Sequence, residues 1–174
     1  MKLFIKYTGE FLRDYPQISL NKTDEILMRN SVFEFLGLEN INQLRDRFEG
    51  QVFLDKTVRN YGGLIACQKF LDIPITALSK INLRNFQPKV KINSTTYNVH
   101  VFDFGFLPAI TEEESNFPTL FVIKKETLTF SLCGYADTST IKNNLVTSQG
   151  DTSSPNGFKN FIGFKDLINI SDLK

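Results

Sequence analysis

The hydrophobic positions of this chain change period once, near residue 73. Before that point they recur at helical spacing. Leu3, Phe4, Tyr7, Phe11 and Leu12 predict a helical segment over 3–14. Tyr15-Pro16 closes it, because a residue before proline is pushed out of the helical region. Thr23 is placed to cap a second helix, with Ile26, Leu27, Phe33 and Leu36 on its inner face and Gly37 as its stop. Asn40 begins a short helix through Phe48. A further helix is expected from about Val52 to Leu71, with Val58, Leu64, Ile65 and Phe70 apolar. Gly62-Gly63 lies in its middle, at a cost of roughly 1 kcal/mol each against alanine. The pair predicts either close packing of a neighbouring element or a break in the helix.

After residue 73 the pattern shortens to the period of strands. "PKVKI" and "TYNVHVFDF" are rich in β-branched and aromatic residues, and Asn93-Ser94 between them predicts a hairpin. "GFLPAITEEESNFP" reads as a loop or strap. "TLFVIKK" and "TLTFSLCGYA" form a second strand pair, joined around Lys125-Glu126. Asp137 or Thr138 can cap a short helix over 139–146. Residues 147–157, "TSQGDTSSPNG", are expected as a mobile loop. "FKNFIGF" reads as a last strand and "KDLINISDLK" as a terminal strand or turn. The fold class is therefore α+β (mixed α/β): N-terminal helices, a central sheet built mostly of hairpins, a helix and a last strand.

Composition bounds the picture. A chain of 174 residues, 41% of them hydrophobic, fits one domain over 1–174 with a sizeable core. Phenylalanine occurs 17 times and tryptophan not at all, which predicts a core packed by Phe. A net charge of +1 gives no global field for a nucleic acid or a membrane. The charge is unevenly spread, however. Residues 73–102 contain no acid, and Lys80, Arg84, Lys89 and Lys91 make that stretch +4. Cys67 and Cys133 lie in apolar surroundings and form no Cys-x-x-Cys pair, which suits a reducing compartment. The opening residues do not read as a signal peptide, since Lys6, Glu10 and Arg13 interrupt any apolar run, and no stretch approaches a membrane span. A cytoplasmic location is expected, with the sequons at Asn21, Asn93 and Asn169 as chance matches.

Candidate chemistry concentrates in "YNVHVFDFGFLP", residues 97–108, which holds the one histidine of the chain. Asp103-Phe104-Gly105 matches the magnesium-binding triplet of kinases in letters only, because the other kinase motifs are missing. His100 is a candidate general base, but it needs an orienting partner and a nucleophile. The expected role of this stretch is a core strand that leaves the sheet at Gly105. Glu112, Glu113 and Glu114 read as a solvated acidic loop, because consecutive side chains diverge. No phosphate loop, dinucleotide fingerprint, zinc-protease motif or EF-hand occurs.

The element order does resemble a known family. The helix "YGGLIACQKFLDIPI", the hairpin running into "DFGFLP", then "PTLFVIKK", "LCGYAD", a capped helix and "FIGF" look like the PD-(D/E)XK nuclease-like fold, with its restriction-endonuclease-like αβββαβ core. The resemblance covers residues 52–164 and leaves 1–50 as an N-terminal helical extension. It implies an Asp and a Glu-x-Lys that hold Mg²⁺. Here His100-Val101-Phe102 falls where Glu-x-Lys belongs, and no acid lies between Asp72 and Asp103. An active metal site would need Asp103 to converge with a distant acid such as Asp72 or Glu49. The expectation is a catalytically inactive nuclease-like domain in a nucleic-acid-related role. No cofactor is expected, and Mg²⁺ only for an active nuclease. Lys80, Arg84, Lys89 and Lys91 are the candidate phosphate contacts. The competing expectations are a homo-oligomeric interaction protein, with exposed apolar residues of "DFGFLP" at its interface, and a metal-dependent nuclease with a migrated site. No membrane partner is expected.

Overall fold

A computed structural model describes residues 1–45, 48–126, 128–147 and 157–174. The helical half comprises α1 (Lys2–Thr8), a short strand β1 (Gln17–Ser19), α2 (Lys22–Leu36), α3 (Ile41–Arg45) and the long α4 (Phe48–Leu71). The second half comprises β2 (Lys89–Ile92), β3 (Thr95–Asp103), β4 (Ala109–Ile110), β5 (Thr119–Lys124), β6 (Thr129–Ala136), α5 (Thr138–Asn143), β7 (Leu145–Val146) and β8 (Lys159–Phe161). Five strands form a mixed sheet in the order β1-β6-β5-β3-β2, and β4-β8-β7 form a small second sheet. The fold is mixed α+β, as the change of period predicts.

Two hairpins make most of the large sheet. β2 and β3 pair antiparallel through a turn in which Asn93 takes the left-handed conformation, φ 54°, that asparagine tolerates better than most residues. β5 and β6 pair antiparallel, with a bulge between Phe121 and Val122. The hairpins join along a parallel seam, where β3 residues 98–103 run beside β5 residues 119–124.

Alternation along the strands divides the core in two. Val99, Val101, Leu120, Val122, Phe130 and Leu132 pack beneath α2 and α4, against Met28, Val32, Leu64 and Ile65. Phe102, Phe121, Ile123 and Cys133 face the other way, against Phe4, Ile141, Phe161 and Phe164. Because β5 is buried on both faces, it reads as a continuous apolar run rather than an alternating one. The expected Phe-packed core is found on the second face, where Phe121 stacks on Phe161 at 4.4 Å. Both cysteines are free and buried. Residues 1–50 supply Phe4 to one core and Met28 and Val32 to the other.

The glycine pair is explained by contact. α4 is continuous through Gly62 and Gly63 and lies directly on the sheet. A Cβ on Gly63 would meet Val101 Cγ2 at 2.3 Å, and one on Gly62 would meet Phe130 Cζ at 2.5 Å.

Several boundaries differ from expectation. α1 ends at Thr8, and the rest of 3–14 forms turns. Asn21, not Thr23, caps α2, in a reciprocal capping box with Asp24. Gly37 stops it as predicted, at φ 65°. α4 begins at Phe48, because the apolar pattern does not mark its first turn. The strap 105–118 contains β4 and a single helical turn at Glu114–Asn116. The helix expected over 139–146 stops at Asn143 and gives way to β7. Of the strand or turn expected for the terminal segment, the turn is found: it forms single helical turns, with Ile168 bridging to Tyr135. Most of the loop expected over 147–157 lies outside the described residues.

Candidate functional site

β2 is shorter than β3, and the site follows from that mismatch. β2 covers β3 over Thr95–Asn98, and the Val99 amide donates to the Pro88 carbonyl at 2.9 Å. Beyond Val99, among the described residues, no strand flanks β3 on this side. A cleft of about 590 Å³ runs along the uncovered edge, within the usual range for ligand sites. Lys56, Arg59 and Asn60 of α4 form one wall. Phe106, Leu107, Ala109, Ile110 and Glu114 form the other, with Phe158 at its rim and Phe86, Gln87 and Pro88 at one end.

His100 lies on the cleft floor between Phe102 and Phe121, at ring separations of 6.4 and 6.2 Å. Burial pushes its imidazole below the ordinary value; the nearby Glu114 carboxylate opposes this and the Arg59 guanidinium adds to it. The ring is therefore neutral at pH 7, with one donor and one acceptor nitrogen. No described residue hydrogen-bonds to it. Thr119, on the same floor, already donates its hydroxyl to the Phe117 carbonyl at 3.0 Å. The described residues thus provide no oriented base and no nucleophile paired with it.

Asp103 is held by cations. Arg59 Nη1 donates to its Oδ2 at 3.2 Å, and Lys124 Nζ lies 3.9 Å from its Oδ1. Arg59 Nε is buried and has no hydrogen-bond partner among the described residues. The distant acids do not converge on Asp103. Along α4, Glu49 lies roughly 15 Å from Arg59 at 1.5 Å per residue, and Asp72 lies past the far end of the helix at Leu71. Among the described residues, no three His, Cys, Asp or Glu side chains gather in a metal-binding arrangement.

The acidic triplet divides. Glu112 and Glu113 are exposed, whereas Glu114 turns into the cleft and accepts from the Thr111 amide and hydroxyl at 2.8 and 3.0 Å. The expectation of a wholly solvated triplet fails at Glu114, because the turn at 114–116 aims this one carboxylate back at Thr111.

The four candidate phosphate contacts stand on three different elements. Lys89 and Lys91 are exposed on β2, opposite Asn98 and Thr96, so they share the sheet face of Asn98 and His100. Lys89 Nζ also lies 5.3 Å over the Phe117 ring. Lys80 and Arg84 are exposed on separate single-turn helices of the α4–β2 connection and do not line the cleft. No described carboxylate pairs with any of the four within 4 Å.

Sequence reasoning missed Lys56, Arg59 and Asn60. Their spacing marks one face of a helix, but their role depends on β3, some forty residues further on. Phe106 is the visible signal, a large apolar residue 69% exposed within "DFGFLP". The chain matches no family model, no curated protein and no solved structure.

Proposed function

We propose that this chain is a non-catalytic module that binds single-stranded nucleic acid across the β2–β3 face. The observation that carries this reading is the register that sets Lys89 opposite Asn98 and Lys91 opposite Thr96. Two cations that pair with no described carboxylate thereby share a face with a cleft rimmed by exposed aromatic rings. Lysine and arginine along a backbone track, with aromatic rings for bases to stack on, are the usual means of sequence-tolerant single-strand binding. The nuclease-like resemblance fits such a role, as a scaffold kept for binding without its carboxylates. Two buried free thiols suit a reducing compartment, and we place the protein in the cytoplasm.

The test is fluorescence anisotropy with labelled single-stranded and duplex DNA and RNA across a salt series. Binding near 10⁻⁵ M is expected, in the range of non-specific contacts, weakening steeply with salt. Lys89→Ala/Lys91→Ala should lower both the affinity and the salt slope. Absence of binding at low salt overturns the proposal.

Self-association is the second reading, favoured by the exposure of Phe106 and Phe158 at the cleft rim. Sedimentation of wild type against Phe106→Ser tests it. A dimer that survives the substitution removes this rim from the interface.

A further inference from the structure

The cleft beside His100 offers a different kind of contact from the lysines of β2. Lysines on an exposed strand hold a backbone and ignore the bases. The cleft is mixed in character and of the size of a small-ligand site. Among its polar groups the two carboxylates are already engaged, Asp103 by Arg59 Nη1 and Glu114 by Thr111, and the others include two sets with capacity to spare. On the α4 wall stand Lys56, which forms no ion pair with a described residue, and Arg59, whose buried Nε has no partner among the described residues. On the floor are Asn98 and His100, neither with a side-chain hydrogen bond to a described residue. Phe106 and Phe158 flank the opening, 69% and 41% exposed.

Asn98 and His100 are half-buried and their polar atoms open to the cleft, whereas Arg59 Nε is buried with no partner among the described residues, a cost that a ligand would relieve. Asn98 supplies an amide, donor and acceptor together, and a neutral His100 supplies one of each. That set matches the hydrogen-bonding edge of a nucleobase. The exposed aromatic rings match its face. The guanidinium and ammonium match a phosphate.

We infer that the cleft takes a single nucleoside monophosphate unit, its base against Asn98 and His100 between the two rim phenylalanines and its phosphate toward Arg59 and Lys56. The inference rests on the nucleic-acid reading and deepens it: one unpaired nucleotide enters the cleft while Lys89 and Lys91 hold the adjoining backbone. The same chemistry would serve a free nucleotide.

The test measures binding of the four ribonucleoside 5′-monophosphates, ribose 5-phosphate and a labelled decanucleotide, by chemical-shift perturbation and calorimetry. At least one monophosphate should bind, at least tenfold tighter than ribose 5-phosphate, with shifts at His100 and Asn98. Phe106→Ala, at a position too exposed to govern folding, should weaken that binding severalfold. His100→Phe should keep the cleft filled and lose the preference among bases. If no monophosphate perturbs the cleft while the decanucleotide binds through Lys89 and Lys91, the inference falls and the broader proposal stands. If ribose 5-phosphate binds as well as the nucleotides, the assignment of the base falls. If monophosphates bind and the decanucleotide does not, the ligand is a free nucleotide, and the strand-binding proposal falls instead. Binding of neither overturns both.

Discussion

Arg59 and Asp103 stand 44 residues apart in sequence and meet across the cleft at 3.2 Å, tying the middle of α4 to the end of β3. The pair is partly open to solvent, with side chains 36% and 44% exposed. Its contribution is therefore small, about 0.2–1 kcal/mol as for exposed ion pairs. A double-mutant cycle with Arg59→Ala and Asp103→Ala, read by urea unfolding, should give a coupling of that size that shrinks at 1 M salt. A coupling above about 2 kcal/mol that ignores salt would mean that the pair is far drier than its exposure indicates.

Gly63→Ala should destabilise the protein, although alanine is the better helix former by about 1 kcal/mol. The new methyl would meet Val101, a β-branched side chain fixed in the sheet. Overpacking of this kind costs about 1–3 kcal/mol. Thermal unfolding should show a lower midpoint, and Val101→Ala should be less harmful in the Gly63→Ala background than alone. An alanine variant as stable as wild type would show that helix and sheet can separate without loss.

The half-buried imidazole makes stability depend on pH. Folding holds His100 below its ordinary value of 6.5, so between the two values the unfolded chain binds the extra proton. Stability from this group is fully present above about 6.5 and is lost as pH falls through the folded value. Denaturant unfolding between pH 8 and 5 should show a decline in wild type that is reduced in His100→Gln. Equal slopes in the two proteins would contradict the assignment.

The thiols should be silent. Burial pushes Cys67 up to about 12 and Cys133 well above its ordinary value, so neither ionises near neutrality. Titration with a disulfide reagent should find no fast-reacting thiol in the native protein and two after unfolding. A fast native thiol would place one of these side chains at the surface.

What the sequence disclosed was what local pattern encodes. Asn93-Ser94 marked the first hairpin because a turn residue and two strands lie within fifteen positions. Asp137 marked its helix because a cap acts three residues away, on Thr140. Gly37 marked a helix end for the same reason. β1 and β7 went unseen because strands of two or three residues carry no period. In the site, His100 and Asp103 stood out as single letters, yet their surroundings did not. The cation that meets Asp103 comes from a helix read only for its apolar face. Lys89 and Lys91 were visible as charges, but only strand register puts them on the face of His100.

The parallel seam between β3 and β5 bears on how the molecule assembles. Each hairpin closes over a few residues and can form by itself within microseconds. The seam cannot, because its strands are joined by the 104–118 strap and gain nothing until both hairpins exist. Such non-local pairing is the slow kind of step in folding. The cleft lies along the edge of β3 opposite the seam and takes one residue, Thr119, from β5. Its walls come from α4 and from the strap after β3, so the β2–β3 hairpin alone does not make it, and the capacity to hold a ligand waits on the docking of helix and strap. A bound ligand would then hold helix and strap together and slow their parting, and the rate of unfolding would report occupancy as directly as any binding curve.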